Sequence, residues 1–199
     1  MIPIQRSGNN QFNNSMILDI VQYGEPVLRK KCVPVTKVNA ELEKLVIDMI
    51  ETMIDAEGIG LAAPQIGKDI RLAIVDVGHD PECLSFFKVD GEDANLEEHM
   101  PLVFLNPELE LSGPKESETE GCLSIQEIRA KVKRPTIVKA KMLQLDGSVK
   151  EIEADGLLAR AIQHEVDHLN GILFTDRIST TTKTRLRRKL KDLAIAEWE

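Results

Sequence analysis

The sequence predicts an α+β fold, with antiparallel β-sheets packed around a central helix that carries His164-Glu165-Val166-Asp167-His168 and helices flanking it toward both termini. Three observations predict it. Helical periodicity appears over residues 40–57, after Asp155, and again near the C-terminus. The stretch between the first two helices is a series of short β-branched and aliphatic runs bounded by turn residues. Where two of those runs meet, Asp146-Gly147 supplies the strongest hairpin signal in the chain.

Residues 1–15 are polar and Asn/Gln-rich and are expected to form a loosely held extension. A compact unit then begins at Met16 and is expected to run to residue 180, with a basic helix over 181–199 as the last part of the chain. In the first helix, Leu42, Leu45, Val46, Met49, Ile50, Met53 and Ile54 recur at spacings of three and four, which gathers them on one face. Asn39 is the expected N-cap and Gly58 the stop. RLAIVDV (71–77), LVFLN (102–106) and PTIVKAKML (135–143) are the expected strands, and the last turns through Asp146-Gly147 into SVKEIEA. The second helix follows Asp155 through LLARAIQHEVDHLN and stops at Gly171. A third spans about Thr181 to Glu197, with Leu186, Leu190, Leu193 and Ala194 inward.

Composition narrows the function classes. No stretch approaches the ~20 apolar residues of a membrane span, and no secretory or organelle-targeting pattern opens the chain. Three cysteines (Cys32, Cys83, Cys122) are too few and scattered for a disulfide framework, which favours a reducing cytoplasm and a metal-binding or reactive role for any special cysteine. A net charge of −8 argues against a surface that coats nucleic acid. Two segments depart locally. Residues 80–98 are strongly acidic and read as an exposed loop between strands. Residues 183–191 are basic and read either as a solvated helix face or as a docking site for an RNA-rich surface such as the ribosome.

The H-E-x-x-H sequence carries the chemistry. On a helix, His164 and His168 lie one turn apart on one face, where two imidazoles can grip a divalent ion beside a carboxylate base. The helical wheel alone does not choose between Glu165 and Asp167, which flank the histidines on opposite sides. Two histidines leave the site incomplete. A metzincin protease would place a third histidine where Phe174 stands, and the glutamates still downstream, Glu197 and Glu199, lie at the chain end. Upstream, Cys122 in Glu120-Gly121-Cys122-Leu123-Ser124 offers a thiolate next to a glycine. Gly58-Ile59-Gly60-Leu61-Ala62-Ala63-Pro64-Gln65 follows the first helix and allows close backbone approach.

GIGLAAPQ (58–65), EGCLS (120–124) and HEVDH (164–168), in this order, resemble the peptide deformylase family. Similarity extends through FLNPEL, EADGLLARAIQ and LNGILFTDRI and covers roughly residues 16–178. The resemblance implies an enzyme that removes the formyl group from the N-terminal formyl-methionine of nascent chains and releases formate. It implies one divalent ion held by Cys122, His164 and His168, most often Fe(II), with Zn(II) or Ni(II) as alternatives, and an open position for water. Glu165 would be the base, and the Gln65 amide and Leu123 N–H would stabilise the oxyanion. Ile59, Gly60, Glu120, Gly121, Ile128, Arg129, Leu157 and Ala161 would contact the substrate. One departure is Gln126, where the family usually has proline, so the segment after the cysteine is expected to be freer. The oligomeric state is left open.

Overall fold

A computed structural model describes residues 15–79 and 83–195, so the extension expected over 1–15 lies almost wholly outside the described residues. Helix α1 (Ala40–Asp55) starts where Asn39 Oδ1 accepts the Leu42 N–H at 2.9 Å. It buries Leu42, Val46, Met49, Ile50 and Met53. Ile54, expected on the same face, is 57% exposed, because the helix ends one residue later and its last turn outruns the sheet beneath.

Seven strands follow: β1 (Gly60–Ala62), β2 (Leu72–Val75), β3 (Phe87–Val89), β4 (Glu92–Asp93), β5 (Leu102–Cys122), β6 (Ile125–Leu143) and β7 (Val149–Ala154). They form one sheet in the order β1-β2-β5-β6-β7-β3-β4, every neighbouring pair antiparallel. Strand β2 is buried on both faces. Leu72 and Ile74 meet α1, whereas Ala73 and Val75 meet α2 (Gly156–Leu169) through Leu158, Ile162 and Val166. The Asp146-Gly147 turn forms as expected: Asp146 Oδ1 accepts the Ser148 N–H at 2.9 Å, and Gly147 takes φ +82°.

Two expectations change. Strands β5 and β6 run 21 and 19 residues, far beyond the short runs read from the sequence, and their connecting turn is Cys122-Leu123-Ser124-Ile125. The acidic segment is only partly a loop. Its β3–β4 hairpin extends the sheet by pairing with β7, and Phe87 and Leu96 enter the core. Asp155, at the N-cap of α2, makes no side-chain cap to its own helix. Its Oδ1 instead accepts the Ser85 and Phe86 N–H groups at 2.7 and 3.4 Å and holds this segment in place.

After α2 come a short helix not anticipated from the sequence, α3 (Phe174–Arg177), and α4 (Thr180–Ile195). Leu190 of α4, Phe174 of α3 and Leu28 pack under the β5–β6 turn against Ile125, Ala130 and Val132. No helix among the described residues is long and apolar enough to cross a membrane.

Candidate active site

The β5–β6 turn delivers Cys122 onto the buried C-terminal half of α2. Cys122 Sγ lies 3.3 Å from His168 Nε2, and the donor atoms of Cys122, His164 and His168 all lie within 4.8 Å of one another. The two rings stand 5.0 Å apart at 66°, the arrangement that one-turn spacing dictates. His168 is 1% exposed. Burial, reinforced by the charges of His164 and Arg134, holds its imidazole well below the ordinary range, so the ring is neutral and keeps a lone pair. His164 behaves oppositely. Burial alone would discharge it, but hydrogen bonds to Cys122 and Glu120 bring its ring to about 10. A cysteine sulfur and two imidazoles within 4.8 Å of one another fit a divalent ion with three protein ligands.

Glu120 fixes the His164 ring from behind. The sequence reading puts Glu120 among the substrate contacts; the structure gives its carboxylate another task. Oε2 bonds His164 Nδ1 at 3.1 Å, while Arg134 contributes Nε at 2.6 Å and Nη2 at 2.9 Å, and Arg160 adds Nη1 at 2.7 Å. Burial would raise the Glu120 carboxyl, but these donors hold it far below the usual carboxylate range. Arg134, 3% exposed, also reaches Asp167 Oδ2 at 2.7 Å. Arg177 donates to the same Asp167 oxygen through Nε at 2.7 Å and to the other oxygen, Oδ1, through Nη2.

This network separates the two acidic residues that the helical wheel leaves equivalent. The Asp167 carboxylate is taken by two arginines on the far side of the helix. Glu165 is 4% exposed, and its Oε2 is buried without a hydrogen-bond partner. Burial pushes its carboxyl up to about 7, against the pull of the His164 and Arg134 charges. Gly60 makes its place: a Cβ there would sit 2.3 Å from Glu165 Oε1.

Gln65 enters from the 3-10 turn Ala63–Ile66. Its Oε1 accepts the Ala62 N–H at 2.9 Å, which points Nε2 toward Cys122 Sγ (3.5 Å) and the Ser124 hydroxyl (3.3 Å). Leu123 is the first central residue of the turn beside it. Ile59 and Leu157, both half-buried, and buried Ala161 gather on one apolar cluster next to the donors. Ile128 does not join them. It is 2% exposed and packs with Leu28, Phe174 and Leu190 on a different cluster, because the chain bulges between Cys122 and Ala130 and turns it under the sheet. Arg129 lies exposed, its side chain passing beside Gly121.

Sequence reasoning missed Arg134, Arg160, Arg177 and Ser124. Arg134 left one signal: Ala130, Val132 and Arg134 share the inward phase of β6, so a charge occupies a core-facing position.

An α+β fold with a Cys/His/His donor set and a buried glutamate beside it defines a metal-dependent hydrolase. The sequence matches the family model for polypeptide deformylase over residues 17–184, and the chain belongs to that family. A peptide deformylase of Clostridium botulinum is 49% identical over 165 residues, covering 83% of this chain and 97% of the relative. One from Methylacidiphilum infernorum is 42% identical over 182 residues, covering 92% and 95%. Among solved structures, the Legionella pneumophila peptide deformylase superposes with a TM-score of 0.75 at 36% identity, covering 92% of this chain and 99% of that one. The Synechococcus elongatus enzyme in complex with actinonin gives 0.73 at 39% identity, covering 86% and 87%.

Proposed function

We propose that this chain hydrolyses the formamide of N-formyl-methionyl peptides, with Glu165 as the proton carrier and Cys122, His164 and His168 as the ligands of one divalent ion. The observation that carries the assignment of the base is the Glu165 Oε2 atom, buried without a hydrogen-bond partner on the helix that carries both histidines. When bound, the ion supplies Lewis acidity toward the formyl oxygen and makes water a better nucleophile at neutral pH. Fe(II) is the expected occupant, with Zn(II) or Ni(II) as alternatives that suit the same mixed sulfur and nitrogen set.

Glu165 accepts the proton of the attacking water as the new C–O bond forms. It then returns that proton to the amine nitrogen as the C–N bond breaks, so water and formamide become formate and a free N-terminus. A carboxyl near 7 can act in both directions at neutral pH. Negative charge develops on the formyl oxygen, and Gln65 Nε2 with the Leu123 N–H stabilises it. Losing one such donor costs about 10²–10³ in rate.

Ile59, Leu157 and Ala161 form the slot for the methionine side chain, an apolar lining suited to a flexible thioether. Backbone groups at Ile59-Gly60 on one side and Gly121 on the other pair with the peptide as an added strand, which tolerates varied residues downstream. Arg129 flanks that strand. Residues 16–180 form the catalytic unit, and a cytoplasmic setting suits an iron site with a thiolate ligand. The basic face of α4 is available to an RNA-rich surface such as the ribosome.

The test is formate release from a formyl-Met peptide by protein loaded with iron under anaerobic conditions, beside a Glu165→Ala control. Turnover by the parent and its absence in the control support the reading. Cleavage of internal peptide bonds, or no turnover by either, rejects it.

A further inference from the structure

The segment ahead of α1 bonds the backbone carbonyl oxygens of both residues that carry the proposed oxyanion donors. Val21 donates its N–H to the Gln65 carbonyl oxygen at 2.8 Å. The next residue, Gln22, sends Nε2 to the Leu123 carbonyl oxygen at 3.4 Å, 101 positions away, and to the Ile20 carbonyl oxygen at 3.0 Å. Two adjacent residues thus tie together blocks that are far apart in the chain.

Helix α1 grips the other end of the segment. Asp48 and Thr52 are buried polar residues beside the apolar stripe of α1. Asp48 Oδ1 accepts the Met16 N–H at 2.8 Å, and Thr52 Oγ1 accepts the Leu18 N–H at 2.9 Å. Lys44 Nζ also pairs with Asp48 at 2.7 Å and the Thr52 hydroxyl donates to the Asp48 carbonyl oxygen at 2.7 Å, so both side chains are fixed on α1, and the proposed chemistry uses neither. They anchor a strap.

The Leu123 carbonyl belongs to the central peptide of the Cys122–Ile125 turn. Fixing that peptide fixes Ser124, whose hydroxyl receives Gln65 Nε2 at 3.3 Å. Gln65 is therefore held at its backbone by Val21, at Oε1 by Ala62, and at Nε2 through the turn that Gln22 restrains.

We propose that Gln22 is a positioning residue for the oxyanion donors, and that residues 16–22 act as a strap aligning Gln65 with the Leu123 turn. The inference rests on the deformylase reading and adds a structural requirement to it. Oriented donors stabilise a transition state without reorganising, whereas ground-state binding depends on them less.

Steady-state kinetics of Gln22→Leu on a formyl-Met peptide provide the test. The expected result is a fall in kcat of about tenfold with KM within about twofold, a fraction of what a lost donor costs. Metal content and thermal midpoint stay those of the parent. In a Gln65→Ala background the same change costs less than about threefold, because the group it aligns is gone. Equal costs in both backgrounds, kcat within about twofold of the parent, or a loss confined to KM overturns the proposal. Should Gln22→Leu fail to fold, Thr52→Val, which releases the far anchor at similar volume, is read by the same criteria. A parent chain that folds, holds metal and releases no formate overturns the deformylase reading and the strap with it. An active parent indifferent to Gln22 overturns the strap alone.

Discussion

Gly60 and Glu165 occupy complementary space: the hydrogen on the Gly60 α-carbon faces the carboxylate, and a methyl group there would sit 2.3 Å from Oε1. Strand β1 and helix α2 are thus in contact here, with no side chain between the Gly60 backbone and the Glu165 carboxylate. Gly60→Ala should displace Glu165 and lower kcat/KM by about 10² or more, the usual cost of moving a catalytic group by an ångström. A thermal melt close to the parent's, measured beside formate release, would locate the damage at the carboxylate.

The two acids of the motif should respond oppositely to neutralisation. Glu165→Gln should lower turnover by about 10²–10⁴ with stability equal to or above the parent, because it removes a buried carboxylate with no partner. Asp167→Asn should cost about 1–3 kcal/mol of stability, since it weakens a buried charge-assisted hydrogen bond to Arg134, which keeps its pair with Glu120. Urea denaturation paired with formate assays distinguishes the two profiles.

Removal of the His164 support should be visible in metal retention. Glu120→Gln deprives the ring of its anionic acceptor and leaves the buried Arg134 undercompensated. Affinity for the ion should drop by about 10–100-fold, measured by competition with a chelator. Iron content equal to the parent's at limiting chelator would count against the role given to Glu120.

Cys32 is the thiol that should stay silent. It is 4% exposed, and burial pushes it up to about 11, with Arg71 pulling weakly the other way. Because its folded value is raised, its contribution to stability is intact below about pH 9, the unfolded value, and is lost as pH rises toward 11. Alkylation at pH 7 should therefore leave Cys32 unmodified in folded protein, and the urea midpoint of the parent should fall more steeply above pH 9 than that of Cys32→Ala.

The parts of the fold that were legible are those whose signal is local. Helix α1 announces itself by periodicity and the Asn39 cap, and α2 by its motif and the Gly171 stop. The length of β5 was not legible. Its residues from Glu108 to Thr119 include Gly113 and Pro114, most lie exposed, and they are strand only because β6 pairs with them. The donors Cys122, His164 and His168 could be read because their side-chain chemistry is uncommon. Ile128 packs on a different cluster from Ile59, Leu157 and Ala161: the bulge after Cys122 shifts the phase of β6, and an aliphatic residue carries no mark of which face it will take. Glu120 reads as part of the block that offers Cys122, yet its partners lie at 134, 160 and 164, on elements that meet it only in the folded chain.

Cys122 sits at the tip of a long hairpin and meets imidazoles from a helix that begins after two more strands, β6 and β7, have been laid down, 46 positions later in the case of His168. Until that hairpin has closed and docked, the nascent polypeptide has no complete set of ligands to offer. Ion capture through these three residues would therefore belong to the end of folding rather than its beginning, and the rate at which new molecules mature should follow the slow closure of distant β contacts rather than the supply of a divalent ion.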